Sequence, residues 1–104
     1  MDGLDAIIHQ PVRLKIMAAL RPLPAHEPLE FRRLKALSGA TDGNLGAHIT
    51  TLEQAGYVEV VKDFVGKKPR TRVRLSRAGR RAFEKYIQEM REIVEAAPLQ
   101  KVTS

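Results

Sequence analysis

Residues 41–58, TDGNLGAHITTLEQAGYV, decide how the rest of the chain is read. Leu45, Ile49, Leu52 and Ala55 recur there at helical spacing and form one apolar stripe, so this segment is a helix lying on a core. The opposite face holds Gly43, Asn44, Gly46, Ala47, Thr50 and Thr51, and the segment contains neither Lys nor Arg. A helix face kept only in water usually carries charged side chains. A face of small groups, methyls and short hydrogen-bonding side chains suits close approach to another polar surface. Thr41 stands where a helix N-cap belongs, and Gly56 followed by a β-branched run marks the end.

Upstream, Leu29, Phe31, Leu34 and Leu37 give a second apolar stripe, with Arg32, Arg33 and Lys35 outward and Ser38-Gly39 as its stop. Two short helices joined by a tight glycine-containing turn make a helix-turn-helix, whose second helix commonly enters a major groove. Downstream, Tyr57 to Val65 is valine-rich, Gly66-Lys67-Lys68-Pro69 is turn chemistry, and Arg70 to Leu75 alternates strictly. Thr71, Val73 and Leu75 fall on one face of that strand and Arg70, Arg72 and Arg74 on the other, predicting a hairpin with a basic tip and one basic face. From Lys62 to Arg81 nine residues are Lys or Arg and one, Asp63, is acidic. Solvated faces normally mix signs, so phosphate contact is expected here.

These segments, together with HQPVRLKIMAAL at residues 9–20, resemble the winged helix-turn-helix transcriptional regulators, close to the arsenical-repressor and multiple-antibiotic-resistance-regulator groups. The resemblance spans about Leu4 to Met90. Its most telling pieces are His48-Ile49 with Leu52 and Ala55-Gly56-Tyr57, and Leu75-Ser76-Arg77-Ala78-Gly79-Arg80 leading into the last helix. It implies that Asp42 to Thr51 is the DNA-reading helix and Gly66 to Arg72 the wing. Asp42, Gly43, Asn44, Ala47, His48, Thr50, Thr51, Lys67, Lys68, Arg70 and Arg72 are then the expected DNA contacts. His48, at the edge of the helix, is open to packing or to a phosphate contact. Metal-sensing relatives use cysteine pairs or clustered His and carboxylates, which this chain lacks, and drug-sensing relatives carry extra helices, so no effector is implied.

The flanks complete the reading. Leu4, Ile7 and Ile8 form a short apolar helical patch, and Pro11 opens a helix to Leu20. Val12, Ile16, Ala19 and Leu20 make its core face, while Leu14 and Met17 lie off that stripe and imply a second buried side. The proline-rich Arg21 to Pro28 is a stiff connector. A last helix is expected from Ser76 to Ala97, stopped by Pro98, with residues 98–104 frayed. Phe83, Ile87, Met90, Val94 and Ala97 alternate spacings of four and three, a coiled-coil-like seam that predicts a homodimer, joined by Leu4, Ile7 and Ile8.

Composition bounds the function. A chain of 104 residues with 43% hydrophobic content is expected to form one domain, with residues 4–75 as its core and residues 57–75 as the wing. A net charge of +6 points to a polyanion. Cysteine is absent, which excludes disulfides and thiolate sites. No run has membrane-spanning length and no secretory signal is evident, so a cytoplasmic protein without a membrane partner is expected. His9 reads as a helix-end histidine. His9, His26 and His48 pair with no nucleophile or carboxylate at catalytic or metal-binding spacing, and Asp2, Asp5, Glu84, Glu89, Glu92 and Glu95 read as a solvated face. No enzyme activity, metal or cofactor is expected. The expected fold is mainly α with a small β-hairpin, a winged helix-turn-helix with an added C-terminal dimerisation helix. The expected function is sequence-specific binding of double-stranded DNA by a transcriptional regulator, the alternative being a winged-helix module for protein or RNA.

Overall fold

The apolar stripes of the sequence converge on one core built between helices and a small sheet. The computed structural model describes the backbone of residues 3–25 and 27–103, with side chains as far as Ala96. Met1, Asp2 and His26 lie outside the described residues, as do the side chain of Ala97 and those beyond it. The order is α1 (Pro11–Leu20), β1 (Leu29–Glu30), α2 (Phe31–Ser38), α3 (Asp42–Gln54), β2 (Val58–Val65), β3 (Lys68–Leu75) and α4 (Arg77–Thr103). Leu45, Ile49 and Leu52 of α3 meet Ile16, Met17 and Leu20 of α1, Leu34 of α2, Val58, Val73 and Leu75 of the hairpin, and Phe83 and Tyr86 of α4. Met17 is fully buried and Leu14 half-buried, so α1 is covered on two sides, as its sequence implied.

Local chemistry explains the ends. Gln10 accepts a hydrogen bond from the Arg13 N–H, and Pro11 follows in the first turn of α1, where no N–H partner exists. Gly39 closes α2 with φ of 73°, a left-handed position that a side chain would strain, and its N–H reaches the Lys35 carbonyl. The Thr41 hydroxyl caps α3 by accepting from the Asn44 N–H at 3.2 Å. Ser76 does the same for α4 through the Gly79 N–H at 2.9 Å.

The structure departs from the sequence reading in five places. Leu4, Ile7 and Ile8 do not form a helix: the chain makes a turn at residues 6–8, held by bonds from the Ile8 and His9 N–H groups to the Asp5 carbonyl. Leu29 belongs to a two-residue strand, because β1 pairs with β3 (Leu29↔Val73, Glu30↔Arg72) and gives a three-stranded sheet of order β1-β3-β2. Such a short strand leaves no periodicity to detect. On α2, Leu37 is 48% exposed and Ser38 is buried in its place, its hydroxyl bonded to the Lys35 carbonyl and the Ala40 N–H. The wing turn is only Gly66-Lys67, since Val65 pairs with Lys68 and Phe64 with Pro69. Pro69 is tolerated in the strand because β1 does not extend that far along β3. Finally, α4 runs through Pro98 to Thr103. A proline removes one helical hydrogen bond and disfavours continuation without forbidding it.

One junction is tight. A Cβ placed on Gly79 would lie 1.9 Å from the Tyr57 carbonyl oxygen, whereas one on Gly46 meets nothing within 4 Å. Gly79→Ala should therefore lower stability by about 1–3 kcal/mol through overpacking. Gly46→Ala should raise it by up to about 1 kcal/mol through helix propensity. Urea midpoints of the two variants against the parent provide the measurement.

Candidate nucleic-acid interface

The outward side of α3 follows from its buried side. Burial of Leu45, Ile49 and Leu52 turns Asp42, Gly43, Asn44, Ala47 and Thr50 to solvent, with Thr51 half-buried beside them. The Thr50 and Thr51 hydroxyls donate to the Gly46 and Ala47 carbonyls at 3.0 and 3.1 Å. Their protons are thereby used within the helix, leaving methyls and oxygen lone pairs outward. Asp42 pairs with Lys35 at 2.8 Å. A carboxylate suits a helix N-terminus, and the ammonium offsets its charge toward any approaching polyanion.

His48 is not on the open face. It is half-buried on the α1 side, where Arg13 Nη1 donates to its Nδ1 at 3.1 Å. Burial first, and the Arg13 charge second, push its pKa below the ordinary 6.5. The ring is accordingly neutral with its proton on Nε2. Arg13 also donates to the Ile7 and Ala6 carbonyls, so one side chain joins the N-terminal turn, α1 and α3. Asp5, read as solvated, is a structural acceptor: it takes hydrogen bonds from the Ile7 N–H at 2.8 Å and from the Tyr57 hydroxyl. The bond to Asp5, with burial, raises the Tyr57 phenol to about 12. His9 makes a structural contact across the fold, its Nδ1 2.8 Å from the Tyr86 hydroxyl, while Gln10 caps the helix.

The hairpin corrects the expectation of a free basic face. Register places Asp63 opposite Arg70 and Glu59 opposite Arg74 on the outer side of the sheet. Arg70 grips Asp63 through two bonds of 2.9 and 2.7 Å, Arg72 adds a third at 3.0 Å, and Arg74 meets Glu59 at 2.7 Å. Arg70 and Arg72 are thus held within the wing. Lys67 at the turn and Lys68 beside it are exposed and carry no ion pair among the described residues. Lys62, which the sequence reading did not single out as a site residue, lies on the inner face with Val60 and Thr71. There the hairpin and α3 border an open groove of about 610 Å³, to which Gly46, Thr50 and Glu53 contribute from the helix. The signal for Lys62 was its strand parity with Val58 and Val60, opposite to that of Glu59 and Asp63.

Along the opposite end of the molecule, Ile8 is sealed in the chain's own core, whereas Phe83, also a core residue, reaches the floor of the groove between α1 and α4. Leu4 and Ile7 pack partly against that core. Leu14, Tyr86, Ile87, Met90 and Val94 line a shallow apolar groove of about 260 Å³ between α1 and α4. Ile93 and Val94 are 51% and 61% exposed as α4 leaves the domain. Among the described residues no group of three or more His, Asp or Glu could hold a metal ion, and no helix is long and apolar enough to cross a membrane.

A helix-turn-helix whose second helix is capped, free of Lys and Arg and flanked by a lysine-tipped hairpin defines a winged helix. The profile of the winged helix DNA-binding domain family matches residues 12–94, and the chain belongs to that family. An uncharacterized protein of Methanocaldococcus jannaschii is 38% identical over 87 residues, covering 84% of this chain and 91% of that protein. The solved structure of a transcriptional regulator homologue from Pyrococcus horikoshii superposes with a TM-score of 0.76 at 29% identity, covering 86% of each chain. A structure described as a MarR-family transcriptional regulator, from Enterococcus faecalis, gives a TM-score of 0.72 at 20% identity, over 95% of this chain and 86% of the other. The chain shares the winged helix fold of these regulators.

The ion-pair ladder of the wing is testable by titration. The Arg70 hydrogen bond above all, with the Arg72 charge, holds the Asp63 carboxyl at about 2, below its ordinary 3.8. A depressed carboxylate stabilises above its unfolded-state pKa and loses that contribution as pH falls through the folded value. Hairpin stabilisation should be complete above about pH 4 and lost toward pH 2. Carboxyl NMR should find the Asp63 midpoint near 2 in the parent and nearer 3.8 in Arg70→Met, with a smaller change in Arg72→Met.

Proposed function

We propose that the chain is a sequence-specific regulator of transcription that binds double-stranded DNA as a cytoplasmic homodimer. The observation that carries this reading is the outer face of α3, which is exposed, small and free of Lys and Arg, beside a wing whose lysines are unpaired among the described residues. Such a helix enters a major groove without steric conflict, and its charge for phosphates is supplied from outside it. Asn44 bonds adenine in a bidentate way, while Ala47, Thr50 and Thr51 present methyls to thymine. Asp42 and Gly43 allow the helix N-terminus to approach closely, and His48, half-buried against Arg13, takes the packing role of the two open to it. Lys67 and Lys68 neutralise phosphates, whereas Arg70 and Arg72 contribute in proportion to how far Asp63 releases them.

The partner in the dimer is a second copy packed on the α1–α4 groove. Exposed Ile93 and Val94 extend that groove along α4, and a symmetric pairing of the two α4 helices covers both. Met90→Glu places a carboxylate in this contact, and dissociation avoids the unfavourable burial. Light scattering should find a folded monomer for the variant against a dimer for the parent, with duplex affinity falling in step. A parent that is already monomeric at tens of micromolar rules the dimer out.

Reading and holding separate in a salt titration on specific and random duplexes recovered from a selection on a random pool. Asn44→Ala should relax preference at one base position. Replacing Lys67 and Lys68 by Ala should weaken both duplexes by similar factors and reduce the salt slope by roughly one unit per lysine. If the lysine pair changes the specificity ratio while Asn44→Ala leaves it intact, the roles are reversed. Retention of single strands or protein with no duplex preference favours the alternative, a winged-helix module for those partners.

A further inference from the structure

Phe64 is the most exposed of the large hydrophobic side chains described, at 69%, and Val65 beside it is exposed at 56%. Both lie at the last rungs of β2, where Phe64 faces Pro69 across the strands and Gly66-Lys67 makes the turn. Neither belongs to the core, so folding does not account for an aromatic ring there. Strand parity puts Phe64 on the same face as Val60 and Lys62, the two residues that border the groove against α3. The ring therefore continues the surface that flanks the reading helix. Its surroundings are cationic: Lys62, Lys67 and Lys68 carry no ion pair among the described residues, and the one acid nearby, Asp63, is held by Arg70 and Arg72. An apolar tip ringed by lysines complements a partner that presents phosphates around stacked bases.

Reach agrees with this. Phe64 lies four residues beyond Val60, about 13 Å along an extended strand. With the roughly 5 Å half-width of α3 added, a hairpin directed along the duplex would carry the ring about 18 Å, close to half a duplex turn, from the axis of a helix seated in the major groove. That is where the neighbouring minor groove lies. Apart from its lysines, the tip offers no side-chain donor with which to read base edges.

We propose that Phe64 is a wedge that enters the minor groove beside the major groove occupied by α3, parts one base step, and makes the wing a reader of duplex deformability. The inference rests on the proposed duplex binding. The lysines hold the backbone on either side, and the ring inserts most readily at flexible pyrimidine–purine steps. Val65, on the outer face, takes no part in the insertion.

The test uses the full chain and duplexes recovered by selection, end-labelled for energy transfer and substituted with 2-aminopurine at successive flanking positions. The parent should bring the duplex ends closer and brighten 2-aminopurine at one flanking step per half-site. Phe64→Ala, with a thermal midpoint matching the parent because the side chain is outside the core, should abolish both signals. It should also bind about tenfold more weakly, the loss typical of one base–aromatic contact, with the salt slope unchanged. Phe64→Leu, still an apolar wedge, should keep most of the bend. Tight duplex binding by the parent without bending or unstacking overturns the wedge while leaving the proposed function intact, as does Phe64→Ala that keeps both signals. A change only in oligomeric state on Phe64→Ala overturns it in favour of tip contacts between copies. Failure of the parent to prefer duplex DNA removes the wedge together with the function it rests on.

Discussion

The fold depends on the close approach of α4 to the end of α3. Gly79 sits against the Tyr57 carbonyl, and that same carbonyl accepts the Ser76 N–H at 3.0 Å. The Ser76 hydroxyl donates to the Gly56 carbonyl and caps α4. The exit from α3, the entry to the hairpin and the start of the last helix thus share one set of backbone atoms, so a shift of any one strains the bonds of the others. Tyr57 extends the junction through its hydroxyl to Asp5, which folds the N-terminal turn under the sheet.

Charge on the hairpin divides by strand parity. The outer face pairs arginine with acid across the strands, a use of cations for structure, since cross-strand ion pairs lock register between two strands that have no third neighbour beyond Arg72. The lysines lie elsewhere, Lys62 on the inner face, Lys67 in the turn and Lys68 at the outer tip beside it, and their flexible stems suit the phosphate contacts proposed for them. The nine cations counted between Lys62 and Arg81 are consequently not one patch. Arg70, Arg72 and Arg74 hold the wing, Arg80 donates to the Arg21 and Leu23 carbonyls beneath the connector, and the tip retains the lysines.

What was legible in the sequence was whatever carries a period. The stripes Leu45–Ile49–Leu52 and Val12–Ile16–Leu20, the alternation of β3, the Thr41 and Ser76 caps and the Gly39 stop all act within a few residues, and the structure places them as read, except that Ala55, counted with the first stripe, is exposed at the end of α3. The winged helix family follows from them. What was not legible depends on register or on distant partners. Nothing local pairs Asp63 with Arg70 until the two-residue turn sets the strands opposite one another. The bond between Asp5 and Tyr57 spans 52 residues and that between Arg13 and His48 spans 35, so composition near either end gives no sign of them. The helical patch at Ile8 failed because three apolar residues within five positions suit a buried turn as well as a helix turn. The end at Pro98 failed because a proline weakens a helix without a compulsory stop.

Two adjacent residues of α1 connect the halves of the proposed function. Arg13 bonds to His48 on α3, while Leu14, one residue on, lines the groove that α4 borders. A helix turns about 100° per residue, so neighbours in sequence face different surfaces, and α1 presents one side to each. Met17 and Leu20 fill the space between and are buried to the last atom or nearly so. A close-packed interior of this kind transmits displacement instead of absorbing it. In the proposed dimer a second copy seated on α4 would press on Leu14, and the orientation of α1 would then bear on His48 through Arg13. The proposed assembly and the proposed reading would thus be joined through one ten-residue helix.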